Sequence, residues 1–172
     1  MKTGTRESGF SLIEALVAGV ILSVGLLGLA YAYGQGTASV VLSQQMAVAR
    51  QKAREAVEDV MTARNTATLT WDQINNVSNG GVFTNGPTQL TTAGLDGIVN
   101  TADDGAVETI TVPGADGLLS DGTAEPLSNF TREIKIATIN SELKQITVTI
   151  TYTTPRGLQR SYSMTCYVSP YV

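Results

Sequence analysis

The feature that most constrains the fold of this chain is an apolar run near its start, GFSLIEALVAGVILSVGLLGLAYAY, from Gly9 to Tyr33. Its only charged residue is Glu14. About 20 consecutive apolar residues are enough for a helix to cross the hydrocarbon core of a bilayer. The run therefore predicts a membrane-spanning helix that keeps one carboxylate near its start.

Two other interpretations of this run are weaker. A secretory signal peptide has an apolar core of about 7–15 residues and a small-residue cleavage site, whereas this run is longer and ends in YAYGQGTASV, without a convincing A-x-A site. A buried helix of a soluble protein would need a second large apolar surface to cover it, and the rest of the chain is mostly polar. A retained membrane helix is the favoured interpretation.

The basic residues around the run predict its orientation. Lys2 and Arg6 precede it, and the next basic residue is Arg50. Because Lys and Arg are enriched in cytoplasmic flanks, we expect a single-pass topology with the N-terminus in the cytoplasm. Everything after about Tyr33 would then lie outside the membrane.

Composition argues against several classes of function. The chain has 172 residues, with 11 basic and 15 acidic side chains, so no basic surface for nucleic acid is expected. It contains no histidine, which excludes a histidine-based catalytic triad or zinc site. Phosphate-loop, dinucleotide and nucleophile-elbow motifs are also absent. We therefore expect no enzymatic activity and no confident metal site or cofactor. Cys166, the one cysteine, cannot form an intrachain disulfide.

The helical pattern continues beyond the membrane run. No proline occurs between Phe10 and Arg64, and apolar residues recur at helical spacing from Val41 to Met61. A continuous helix over this span would be ~80 Å long at about 1.5 Å per residue. Gly34 and Gly36, near the membrane exit, are weak points of such a helix, and two interpretations stay open: they open the helix locally, or they merely let other helices approach closely.

Alternating apolar and polar residues predict antiparallel strands in the rest of the chain. The segments are AVETITV at 106–112, FTREIKIATI at 130–139, LKQITVTITYT at 143–153 and LQRSYSMTCYV at 158–168, with turns at 140–141 and 155–157. A sheet with one apolar and one threonine-rich face needs a cover. The predicted fold is therefore α+β: a long N-terminal helix whose first half spans the membrane and whose second half packs on an antiparallel β-sheet.

Residues from 75 to about 123 form an acidic loop rich in Gly, Asn, Asp and Thr. Its oxygen-bearing side chains are typical ligands of calcium: Asp96, Asn100, Asp103, Asp104 and Glu108. The EF-hand template fails, because Ala102 would occupy its third position. A calcium loop of another kind is one interpretation. The other is a solvated turn built on Asp-Gly chemistry.

The N-terminal residues resemble those of the type IV pilin and pseudopilin superfamily. The resemblance rests on a short charged leader ending in Gly9, then FSLIE, then the apolar helix. The continuation ILSVGLLGLA is similar to that of minor pilins of the PilV type, whereas I-type pseudopilins of general secretion usually lack the SVGLLGL run. One departure is the absence of the C-terminal cysteine pair found in many major pilins, which disfavours a major pilin.

This resemblance implies a pilin-like fold in three parts: a leader at 1–9, a membrane and assembly helix at 10–33, and an extracytoplasmic helix and sheet domain at 34–172. The Gly9–Phe10 bond would be cut by prepilin peptidase, and the new Phe10 amine would be N-methylated. Glu14 matches the family glutamate that stabilises a neighbouring subunit in the filament.

The implied role of Glu14 has a physical reason. A carboxylate at the centre of a membrane helix costs about 2.5–3.5 kcal/mol on insertion scales, but near the interface it reaches headgroup water. In a packed filament that water is gone, so the charge needs a partner. The Phe10 amine of a neighbouring subunit, whose ordinary pKa of about 7.7–8.0 makes it a cation at neutral pH, is such a partner. The alternative is that Glu14 merely lies at the membrane–water boundary.

Three functions remain open at this point. The first is a minor pilin that primes or joins a type IV pilus, and the second is an I-type pseudopilin of type II secretion. The third is a membrane-anchored module that binds calcium or a surface. The first implies prepilin peptidase, other minor and major pilins, and an inner-membrane assembly platform as partners. The protein would then lie in the inner membrane before assembly and in the pilus, near its tip, afterwards.

Overall fold

The computed structural model describes residues 11–113 and 120–171. The expected processing site, Gly9 and Phe10, lies outside these residues. The chain divides into two compact units, Met1–Leu42 and Ser43–Val172.

The first unit is helical from Leu12 onward. Helix α1, Leu12–Asn65, begins in this unit and continues into the second, and it runs unbroken through Gly34 and Gly36. The predicted continuous helix is therefore confirmed. The mean hydropathy of its most apolar window is 2.4, and none of that window is buried within the protein. By length and composition α1 is able to cross a membrane, and it is the one such helix among the described residues.

In the second unit, α1 buries a stripe of small residues. The buried residues are Ala49, Ala53, Ala56, Val60 and Ala63, which alternate in steps of three and four and so lie on one face. The predicted stripe was broader. Val41 and Met46 remain more than a third exposed, so the buried stripe begins at Ala49 and consists mainly of alanine.

The second unit contains a four-stranded antiparallel sheet in the order β1-β4-β5-β6 and a separate ribbon of β2 and β3. The strands are β1 Thr88–Gln89, β2 Thr109–Val112, β3 Thr123–Pro126, β4 Phe130–Asn140, β5 Leu143–Thr153 and β6 Gln159–Val168, and a short 3-10 helix covers Val77–Asn79. The three long strands and both hairpin turns confirm the prediction. The predicted strand at 106–112 is shorter, β1 and β3 were not predicted, and Leu158 is exposed ahead of β6 rather than on its inner face.

The two faces of the sheet differ as the alternation predicts. On β5, Ile146, Val148, Ile150 and Tyr152 are buried. The opposite face carries hydroxyl pairs between β5 and β6, at 3.3 Å for Thr147 and Thr165 and 2.9 Å for Thr149 and Ser163. Together with α1, this arrangement confirms the α+β fold of a long apolar N-terminal helix followed by an antiparallel sheet.

Candidate functional site

Glu14 lies in the first turn of α1, at the start of the apolar segment. The turn is closed by the Glu14 amide, which donates to the carbonyl of Ser11 at 3.0 Å. A carboxylate in the first turn is favoured by the helix dipole. Its neighbours Ile13 and Val17 are exposed apolar side chains, so the carboxylate lies within an apolar surface. Its expected partner, the Phe10 amine, lies outside the described residues.

A second group of charges, which the sequence pattern did not reveal, is buried in the second unit. We call it the ion cluster: Lys52, Asp104, Glu108 and Arg132. The Nζ of Lys52 lies 2.7 Å from Oε2 of Glu108. The Nη1 of Arg132 lies 3.1 Å from Oε1 of the same carboxylate, and its Nη2 lies 3.8 Å from Oδ2 of Asp104. Glu108 therefore sits between two cations.

The members of the ion cluster come from three parts of the second unit. Lys52 is on α1, Asp104 and Glu108 are in the acidic loop, with Glu108 directly before β2, and Arg132 is the third residue of β4. Arg132 is only 1% exposed and Glu108 only 7% exposed. Buried charges are tolerated only when they are paired and hydrogen-bonded. The cluster thus links the helix, the acidic loop and the sheet.

The pKa shifts around the ion cluster follow from ion pairing for Lys52 and from burial for Asp59. Burial by itself would lower the pKa of Lys52, but its hydrogen bonds and attraction to Glu108 and Glu55 outweigh burial and raise that pKa. Burial raises the pKa of Asp59, against the attraction of Arg132. Lys52 is therefore held as a cation, whereas Asp59 is a carboxylate that desolvation disfavours.

The carboxylates of the acidic loop accept hydrogen bonds from the loop itself. Asp103 accepts from the amide of Leu95 at 2.8 Å and from the hydroxyl of Thr101 at 2.8 Å. The Thr101 bond is the main reason that the pKa of Asp103 is lowered. Asp104 accepts from the amide of Asn100 at 2.8 Å. These hydrogen bonds hold the loop backbone against the carboxylates of the loop itself.

The other two candidate calcium ligands also have local partners. Asp96 accepts from the amide of Ile98 at 2.8 Å. Asn100 is buried, has a φ of 68°, and bonds to the hydroxyl of Thr84 at 2.7 Å through its Nδ2. Among the described residues no group of three or more His, Cys, Asp or Glu side chains is placed to hold a metal ion. Calcium binding stays an untested alternative to the solvated turn, and it would require these bonds to be exchanged.

We expect calcium to leave the thermal unfolding of the full chain unchanged, because the loop carboxylates are already hydrogen-bonded. The measurement is the melting temperature with roughly millimolar calcium, the range of weak extracellular sites, against the same concentration of magnesium. An increase in melting temperature specific to calcium, lost in Asp103→Asn but kept in Glu125→Gln, would contradict this expectation and support the calcium loop.

Two further buried polar side chains were not predicted. Asn76 accepts from the amide of Ile136 at 2.8 Å and donates to the carbonyl of Ile134 at 2.7 Å, so one side-chain amide takes the place of a strand partner on the edge of β4. Lys144 donates to the carbonyls of Trp71 and Ile74 at 2.6 and 3.0 Å. Burial lowers the pKa of Lys144.

A comparison with protein-family models finds the prokaryotic N-terminal methylation motif over residues 4–30. This segment includes Gly9, Phe10 and Glu14 and the first part of α1. The motif supports the resemblance to type IV pilin-like proteins, including pseudopilins, and it fits anchoring in a membrane through the apolar helix. Comparison of the chain with curated proteins gave no significant match. Comparison with solved structures also gave none.

Proposed function

We propose that this protein is a minor pilin, a structural subunit that primes or joins a type IV pilus, rather than an enzyme. The observation that carries the proposal is the methylation motif over residues 4–30, which leads into an unbroken helix with an exposed apolar surface. An apolar helical surface of this length is satisfied either by lipid or by the helices of neighbouring subunits.

Within this proposal, Glu14 and Phe10 form the docking pair. Cleavage after Gly9 creates a new amine at Phe10, whose charge at neutral pH is positive. Staggered subunits bring one amine beside the Glu14 carboxylate of a neighbour, so that two charges which are costly when alone neutralise each other. Correct docking is then the arrangement that leaves no buried charge unpaired.

The SVGLLGL run at 23–29 favours a minor pilin of the PilV type over an I-type pseudopilin of type II secretion. Both share the methylation motif, and the neighbouring genes would separate them. For the minor pilin, we propose prepilin peptidase, the inner-membrane assembly platform, and other minor and major pilins as partners. We also propose single-pass insertion in the inner membrane with a cytoplasmic N-terminus, followed by a position near the pilus tip.

The mature protein is expected to begin at Phe10 and to carry one added methyl group. Intact-mass measurement of the membrane or filament fraction should show the loss of residues 1–9. Gly9→Val should block cleavage, because it places the valine side chain directly before the bond that is cut. The matched Gly4→Val variant in the same leader should be processed normally. An intact leader on the unaltered chain in cells with active prepilin peptidase would refute the proposed function.

A further inference from the structure

The four-stranded sheet ends at β6, and within residues 11–113 and 120–171 no strand pairs with its outer side. The amide of Thr154 donates to the carbonyl of Leu158 at 2.8 Å, directly ahead of the paired part of β5 and β6. Because hydrogen-bonded and non-hydrogen-bonded pairs alternate along an antiparallel ladder, the even-numbered residues of β6 bond to β5. The backbone groups of the odd-numbered residues from Ser161 to Tyr167 therefore point outward.

This edge lacks the usual protection against an added strand. Charges, prolines and bulges are the common devices that keep edge strands apart. The segment 161–168 contains no charged residue and no proline, and its register with β5 is regular throughout. β6 can therefore accept a further strand along most of its length.

The inner face of the sheet is less well covered at β6 than at β5. Tyr162, Met164 and Cys166 lie opposite buried isoleucine and valine side chains of β5, so they face the same side of the sheet. Unlike those partners, the three β6 side chains are only half-buried. The helix reaches them at its margin, where Cζ of Arg50 lies 5.8 Å from the centre of the Tyr162 ring.

One side of α1 borders this part of the sheet. Helical periodicity places Arg54, Val57 and Met61 on the same side of α1 as Arg50. Val57 and Met61 are half-buried, whereas Arg54 is exposed. Together the helix and the strand form an apolar groove beside the open edge. We call it the edge groove, and its residues are Val57, Met61, Tyr162, Met164 and Cys166.

The charges that flank the edge groove are mainly positive. Arg50 and Arg54 are exposed on α1, and Arg160 is exposed at the start of β6. None of these three arginines forms an ion pair with another described residue. Glu58 lies on the exposed face of α1, opposite the buried stripe, and after Glu142 the chain has no Asp or Glu. The groove therefore favours a partner that brings carboxylates.

We propose that the edge groove binds an extended acidic segment of a different protein subunit, which adds a strand beside β6. The backbone of that segment bonds to the outward groups of β6. Every second side chain then lies on the inner face, where apolar residues cover the groove and carboxylates meet the arginines. A nucleic acid would leave the apolar groove and the open backbone edge without a partner.

A second copy of this chain fits the edge groove poorly. Its β6 would bring like charges, and its β3 has only four residues and ends in Pro126. A contact with a different subunit is made once per copy, as a subunit at a filament tip requires. The inference comes from the second unit alone, and it holds whether or not the chain is processed at Gly9.

Fluorescence anisotropy of a labelled peptide tests the binding with the full chain in mild detergent. The probe has about ten residues, with valine and two glutamates on one face of the strand and threonine on the other. It should bind saturably, and detergent without protein gives the background. Arg160→Glu should weaken binding by about fivefold, the upper range for an exposed ion pair. A peptide with lysine in place of glutamate should prefer the Arg160→Glu variant, whereas Lys135→Glu on the opposite face of the sheet should change neither affinity.

A second pair of variants tests the backbone contact. Ser163→Pro removes an outward amide from an edge strand, a position that tolerates proline, and should weaken binding by about tenfold. The matched Ser163→Ala keeps the amide and should bind normally. Circular dichroism verifies that each variant folds, and if Ser163→Pro does not, the exchange of charges decides the outcome.

Four results would overturn the proposal. The first is no saturable binding of the glutamate peptide, and the second is equal binding of the glutamate and lysine peptides. The third is displacement of the peptide by a duplex oligonucleotide, which would assign the arginines to nucleic acid. The fourth is self-association of the chain that the peptide abolishes, which would assign the edge groove to a second copy.

Discussion

Replacing Glu108 with alanine should destabilise the second unit by about 3–5 kcal/mol, the usual cost of removing one partner of a buried ion pair. The carboxylate contacts Lys52 at 2.7 Å and Arg132 at 3.1 Å. Its removal leaves Arg132, which is 1% exposed, with Asp104 at 3.8 Å as its nearest carboxylate among the described residues. The measurement is the free energy of unfolding from denaturant titration, followed by far-ultraviolet circular dichroism.

Two variants make this experiment specific. Glu125→Ala removes an exposed carboxylate from β3 and should change stability by less than about 0.5 kcal/mol. Arg132→Met in the Glu108→Ala background removes the orphaned charge and should recover part of the loss, because apolar groups of similar volume tolerate burial. If Glu108→Ala were no less stable than Glu125→Ala, the ion cluster would not contribute to the fold.

Glu14→Ala should leave membrane insertion intact and reduce incorporation into filaments. Removing a carboxylate from an apolar helix makes insertion easier, so a defect has to arise later, when the Phe10 amine of a neighbour loses its counter-charge. An orphaned buried charge costs on the order of 3–5 kcal/mol, which corresponds to a reduction on the order of a hundredfold or more in binding. The measurement compares the variant in the inner membrane and in sheared filaments with the unaltered protein.

Glu14→Asp keeps the charge and should retain part of the incorporation, while Glu58→Ala removes an exposed carboxylate from a later turn of α1 and should have no effect. Equal incorporation of Glu14→Ala at normal membrane levels would show that Glu14 merely lies at the membrane–water boundary. A subunit at the tip has no neighbour above it and lacks one of its two charge pairs, so a smaller defect is expected there.

The long elements could be predicted because their signal is local. An unbroken apolar run predicts α1, and strict alternation predicts β5 from its own residues. The short strands β1 and β3 lie in segments rich in Gly, Thr and Asp, where two to four residues give no periodic pattern. β1 is a strand because it pairs with β4, and β3 is a strand because it pairs with β2. In both cases the partner lies outside the short segment itself.

The candidate sites also divide into residues that a local sequence pattern could reveal and contacts that depend on distant parts of the chain. The motif around Glu14 is contiguous, so its residues could be found from the sequence, although the sequence cannot show the neighbouring subunit. Arg132 and Lys144 occupy positions of β4 and β5 that the alternating pattern otherwise fills with apolar residues. This pattern was the one indication in the sequence that both side chains are buried. What could not be predicted is which distant groups pair with them, since Glu108 and the carbonyls of Trp71 and Ile74 come close only in the folded chain.

The contact between Lys144 and Trp71 makes this tryptophan an intrinsic fluorescence probe of the fold. Trp71 is the only tryptophan, the Nζ of Lys144 lies 4.5 Å from the centre of its ring, and its Nε1 donates to the carbonyl of Ser141 at 3.1 Å. Fluorescence emission therefore reports on one place, where the turn after α1 docks on the hairpin of β4 and β5. Release of that turn alone would shift the emission to longer wavelength while the far-ultraviolet signal of the strands persists, so local opening is distinguishable from global unfolding without an added dye.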